Sequence, residues 1–179
     1  FMRPRGLGSK ATEKPTGMEL FGADWREAFL ALHLNRPLLG QRTMDVVSVL
    51  KALRQEHGEP PIHLVGTGRC GPIVLHAAAF DDKVNEITLY KGLVAWQTIV
   101  EEKISVGQLA QVIPGALAVY DLPNLAASLT PRSLTIIAPV RADGTPRNDA
   151  CTQRIYYHVR AASHQAQGAE HLRIRLSNR

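Results

Sequence analysis

Apolar residues recur along this chain in two rhythms, short continuous runs bounded by glycine or proline and longer stretches with a 3.6-residue period. Residues 1–22 carry Pro4, Gly6, Gly8, Pro15, Gly17 and Gly22 with little periodicity, and read as loop after a very short strand at 1–2. The chain is therefore expected to open in the middle of a fold, its early strands missing. Residues 25–34 are apolar and helical, Pro37 and Gly40 interrupt them, and 43–55 resumes with Val46, Val47, Leu50 and Leu53 on one face. Two helices or one broken one are expected. Gly58, Pro60 and Pro61 stop the second, and Ile62-His63-Leu64-Val65 is a short apolar run ending at Gly66, as a buried parallel strand does.

A turn of small residues over 66–71 leads into a helix at 72–80, with Pro72 in the first turn, where its missing N–H is harmless. The pattern then predicts a strand at 84–90, a helix over 99–112 with a loop at 113–115, and a short helix at 122–129 ended before Pro131. A strand at 134–140, a long helix at 148–165 ending near Gly168 and a last strand at 172–176 complete the chain. Strands alternating with helices predict one α/β domain over 1–179, its sheet of about four parallel strands flanked by helices on both faces.

Composition agrees with one globular domain: 179 residues, 45% apolar and 21% charged. The longest apolar stretches are broken by His76 and Asp81 and fall far short of the ~20 residues of a membrane helix, so no membrane partner is expected. Twenty-one Lys and Arg against sixteen Asp and Glu give +5, but the basic residues are scattered and aromatics are 6%, so no nucleic-acid partner is expected. Cys70 and Cys151 have neither metal-ligand spacing nor the density of a disulfide scaffold and read as free thiols. No H-x-H, H-E-x-x-H or C-x-x-C spacing occurs, and neither a metal nor a cofactor is expected.

The segment Ile62-His63-Leu64-Val65-Gly66-Thr67-Gly68-Arg69-Cys70-Gly71 resembles the nucleophile elbow of the α/β-hydrolase superfamily, G-x-S-x-G between a strand and a helix. Register from the strand puts Gly66 at the first glycine, Gly68 at the nucleophile and Cys70 at the last glycine. In such an elbow the N–H after the nucleophile, here that of Arg69, faces the oxyanion. Glycine has no side chain with which to form an acyl-enzyme. A shifted register makes Cys70 the nucleophile, as in G-x-C-x-G, with Pro72 in place of the closing glycine; the plain alternative is a buried inert cysteine. The backbone N–H groups of Gly66-Thr67-Gly68 also offer an anion site, against a turn kept for folding.

Arg3-Pro4-Arg5-Gly6-Leu7-Gly8 looks like the R-G-x-G loop of the same superfamily. The stretch from Asp121 to Arg132 looks like its D-x-P-x-L-A-A-x-L-x-P-R segment, or otherwise is a capped short helix stopped by a proline. The likeness is nearest to bacterial hydrolases of the acetyl xylan esterase and prolyl-oligopeptidase-like group, over roughly 1–176. It implies a partial α/β-hydrolase fold, an ester or peptide substrate, and an acid at Asp143, which as a turn residue before Gly144 needs no catalytic role. The family's histidine follows the last strand, where only Ser177, Asn178 and Arg179 remain. His171 precedes that strand, His158 and His164 fall in the long helix, and His63 and His76 read as packing at the edge of the core. The expectation is a hydrolase-like chain, inactive because Gly68 replaces serine, or a non-catalytic binding module using the cleft above 66–71. An open sheet edge near the first strand is expected to favour self-association.

Overall fold

In the computed structural model the described residues are 2–5, 7, 19–146, 150–165 and 171–175. Four strands, β1 (Ile62–Thr67), β2 (Val84–Tyr90), β3 (Ser133–Ile137) and β4 (Leu172–Arg175), lie side by side in chain order, each parallel to the next. Leu64, Ile87, Leu134 and Leu172 stand in one cross-strand row and Gly66, Leu89, Ile136 and Ile174 in the next. These rows belong to the main core, where Ile87 is wholly buried. Burying each such Leu or Ile stabilises the fold by about 1.5–3 kcal/mol.

The alternate rows are different. His63, Glu86 and Ser133, then Val65, Thr88, Thr135 and Arg173, then Thr67, Tyr90, Ile137 and Arg175, include no buried residue. Helices therefore cover one face of the sheet among the described residues, not the two expected. The strands alternate apolar and polar side chains, so burying the second face would remove glutamate, arginine and threonine groups from water without partners.

Helix α1 (Trp25–His33) ends at Asn35, whose φ of 52° is left-handed, and α2 (Leu38–His57) starts after Pro37. Gly40 does not interrupt α2. It sits in the first turn, and its cost of about 1 kcal/mol is offset by burial of Leu39, Val46, Val47 and Leu50 further along. Helix α3 (Cys70–Phe80) follows β1 at once, and its residues from Gly71 to Ala78 are buried between α2 and the sheet.

The expected helix over 99–112 is only α4 (Gln97–Glu101) and a 3-10 turn at Leu109–Gln111. Between them Val106 N donates to Ala142 O at 2.8 Å, Gly107 N donates to Leu20 O at 2.8 Å, and Gly107 has φ 67°, so tertiary hydrogen bonds replace the helical ones. Helix α5 (Leu122–Ser128) is as expected. Strand β3 stops at Ile137 rather than 140 because Ala138 turns left-handed at φ 48°. The expected helix at 148–165 is two, α6 (Ala150–Ile155) and α7 (Tyr157–Gln165), divided at buried Tyr156. Residues 148, 149 and 176 lie outside the described residues. No described helix is long and apolar enough to cross a membrane.

Candidate functional site

The turn between β1 and α3 is shaped by three glycines. A Cβ at Gly66 would stand 2.9 Å from Cys70 O and 3.0 Å from a Val74 methyl, so strand and helix approach too closely there for any side chain. Gly68 has φ 55°, and a Cβ built on it meets nothing within 4 Å. The chain thus turns back at Gly68 with its apex open. Gly68 N donates to Tyr90 O at 2.8 Å and Gly71 N to Gly68 O at 3.0 Å, fixing the apex to the end of β2. A Cβ at Gly71 would stand 3.3 Å from Gly92 Cα, a second close approach, to the loop after β2.

Arg69 follows as the N-cap of α3, and its guanidinium is drawn sideways onto Asp24 at 2.8 Å. Asp24 is 4% exposed and takes a second bond, at 2.6 Å, from Arg42, which is 1% exposed and donates through Nε to Arg5 O at 2.9 Å. One buried carboxylate therefore ties α1, α2, the N-terminal segment and the elbow together. The sequence carried one signal for this: Arg42 falls on the buried stripe of α2 with Leu38, Leu39 and Val46, where an unpaired charge is not tolerated.

Cys70 is half-buried at the start of α3. Burial pushes its thiol above the ordinary value, against smaller downward effects of Arg42 and Arg69, so the weakly nucleophilic thiol form dominates at neutral pH. Asp143 lies in the loop after β3, at the same end of the sheet as the elbow, and is exposed. Its carboxylate accepts from Thr145 Oγ1 at 2.7 Å and Thr145 N at 2.9 Å, bonds that hold it below the usual carboxylate range, while its own N donates to Glu102 at 3.3 Å. These contacts shape a turn. Nothing among the described residues links Asp143 to Cys70 or to a histidine.

His76, on α3, is buried with both ring nitrogens engaged, Nδ1 with Pro72 O at 2.6 Å and Nε2 with the Tyr120 hydroxyl at 2.8 Å, beside the Trp96 ring. His63 is exposed on β1 and reaches Thr88 Oγ1 at 2.9 Å. His171 precedes β4, at the sheet's opposite end from the elbow, and His158 and His164 are exposed on α7. Asp121 caps α5 and also accepts from Trp96 N at 2.7 Å and Gln97 N at 3.0 Å, a structural duty. Among the described residues no group of three or more His, Cys, Asp or Glu is placed to hold a metal ion.

The expectation that these glycines fit no phosphate-binding motif is incorrect, since Gly66, Gly68 and Gly71 have the G-x-G-x-x-G spacing of dinucleotide-binding turns. The surroundings differ from that fold. Among the described residues β1 is an edge strand, so no crevice opens between it and a strand on its far side, and β2 ends at Tyr90, followed by Lys91-Gly92, where the ribose-binding acid would stand. The chain matches no family model, and no curated protein or solved structure is found similar to it.

Proposed function

We propose that this chain is an α/β-hydrolase-type unit, of the kind that acts on carboxylic esters or peptides, which has lost the chemistry and keeps the cleft above residues 66–71 for binding. The observation that carries the reading is the left-handed, open apex at Gly68 between a parallel strand and a helix. A nucleophile elbow lifts one side chain clear of the sheet at that point, and here there is none to lift. The protonated Cys70 thiol and the turn-bound Asp143 favour an inactive site over the shifted-register thiol enzyme. The exposed side of β1, which among the described residues pairs only with β2, is in this reading a surface for self-association.

An activated acyl ester such as p-nitrophenyl acetate tests it. Wild type should show no burst of product and no covalent adduct by mass spectrometry. Gly68→Ser should restore little, because loss of the activating base alone costs several orders of magnitude. An adduct on wild type that Cys70→Ala abolishes, with the fold intact, overturns the reading in favour of a thiol hydrolase.

A further inference from the structure

Beside the elbow, and sharing no residue with it, a groove of about 360 Å³ runs between the 3-10 turn at Glu19–Phe21 and the loop after α4. Its walls are Leu20, Phe21, Ile99, Ile104, Leu109 and Val112. Leu20 is 55% and Ile104 56% exposed, so the groove presents apolar surface to water that an apolar chain would cover. Buried Gln108, also in the lining, offers nothing: its amide nitrogen donates to Val106 O and Ala142 O, and its oxygen accepts from Gln111. The remaining polar groups are Lys103 and Ser105.

Lys103 makes no ion pair among the described residues, although two acids precede it in sequence. Glu101 accepts from Gln97, and Glu102 is held by Arg141 at 2.8 Å. An exposed ammonium is thus left over at an apolar slot. From this pairing we propose that the groove binds a free medium-chain carboxylate, its alkyl tail along Leu20, Ile104 and Leu109 and its head against Lys103 and Ser105. The volume lies at the low end for small-molecule sites. A stable protein partner needs an interface of roughly 1,000 Å² or more, which suits a slot of this size poorly. The proposal is independent of the hydrolase reading, since the acyl-ester test touches neither Lys103 nor the groove walls.

Calorimetric titration of the full chain with sodium decanoate tests it. One saturable site is expected, with affinity falling about fourfold for each methylene removed in octanoate and hexanoate. Decanol should bind more weakly than decanoate. Lys103→Gln should weaken decanoate by about threefold to fivefold at low salt, an effect that shrinks at high salt, whereas Lys103→Arg should retain it. Ile104→Asp, at an exposed position compatible with folding, should weaken decanoate at least tenfold with the circular dichroism spectrum unchanged. Absence of decanoate binding, affinity independent of chain length, indifference to both Lys103→Gln and Ile104→Asp, or binding to anionic lipid vesicles without binding to monomeric decanoate would each overturn the assignment.

Discussion

At Gly66 a methyl group collides with the backbone oxygen of Cys70, and that atom cannot swing away as a side chain could. Gly66→Ala should therefore lower the stability by about 1–3 kcal/mol, read from the urea midpoint. At Gly68 the same methyl meets open space, and only the left-handed backbone opposes it, at about 1 kcal/mol. Gly66→Ala should be the more damaging of the two, and the reverse order would contradict the turn described. Asp24→Ala leaves Arg42 buried without its counter-charge, and should cost about 3–5 kcal/mol. Arg69→Met removes a side chain that is 33% exposed and leaves the Asp24–Arg42 pair, so its cost should be smaller. His76 carries the pH dependence near neutrality. Burial, opposed in part by the Pro72 carbonyl, holds its imidazole below the ordinary value, so the unfolded chain takes up a proton near pH 6.5 that the folded chain refuses. Its contribution is present above that pH and is lost as the pH falls from about 6.5 toward the folded value. Asp81 is pushed up by burial but held below its usual range by the stronger combined effect of Arg54 and Lys83, so its contribution fades only near and below pH 4. The melting temperature should drop between pH 7 and 5, and His76→Phe should flatten that slope; an unchanged slope would remove His76 from the account.

Among the elements, α5 shows how a short helix is held. Asp121 accepts from Leu122 N at 2.6 Å as well as from two amides at the start of α4, so Asp121→Ala should cost on the order of 2 kcal/mol, above the typical ~1 of a single cap, by thermal melting. A loss of a few tenths would show that water replaces these bonds. This element, α1 and β2 were legible because capping residues and apolar period are local. The run at 62–65 suggested burial on both sides, yet Leu172-Arg173-Ile174-Arg175 and Glu86-Ile87-Thr88-Leu89 already alternated, and that alternation is the signature of one wet face. Nothing local marks residues 102–108 as non-helical except Gly107, because the decisive bonds come from Ala142 and Leu20. The candidate site divides the same way. Its glycines were visible in sequence, whereas Asp24 meets Arg42 and Arg69 from 18 and 45 residues away, separations no pattern of period or motif records.

For the whole molecule, the open side of β1 is where the proposed self-association is tested. Among the described residues its amides and carbonyls have neighbours in β2 alone, and Val65, on the uncovered face of the same strand, is 58% exposed. Light scattering over a concentration series should show a rise in mass that Val65→Lys suppresses, as a charge on an edge strand discourages pairing. A constant monomer mass would exclude this edge as an interface. The bare face of the sheet bears on something else, the freedom of the sequence to change. Thr88 and Thr135 are half-buried and Arg173 is exposed, none of them in the core, so most replacements among them should shift stability far less than those at Ile87, Leu134 and Leu89, which disturb the core. Mutational tolerance should therefore alternate residue by residue along each strand, leaving half of the sheet to drift while the other half is held.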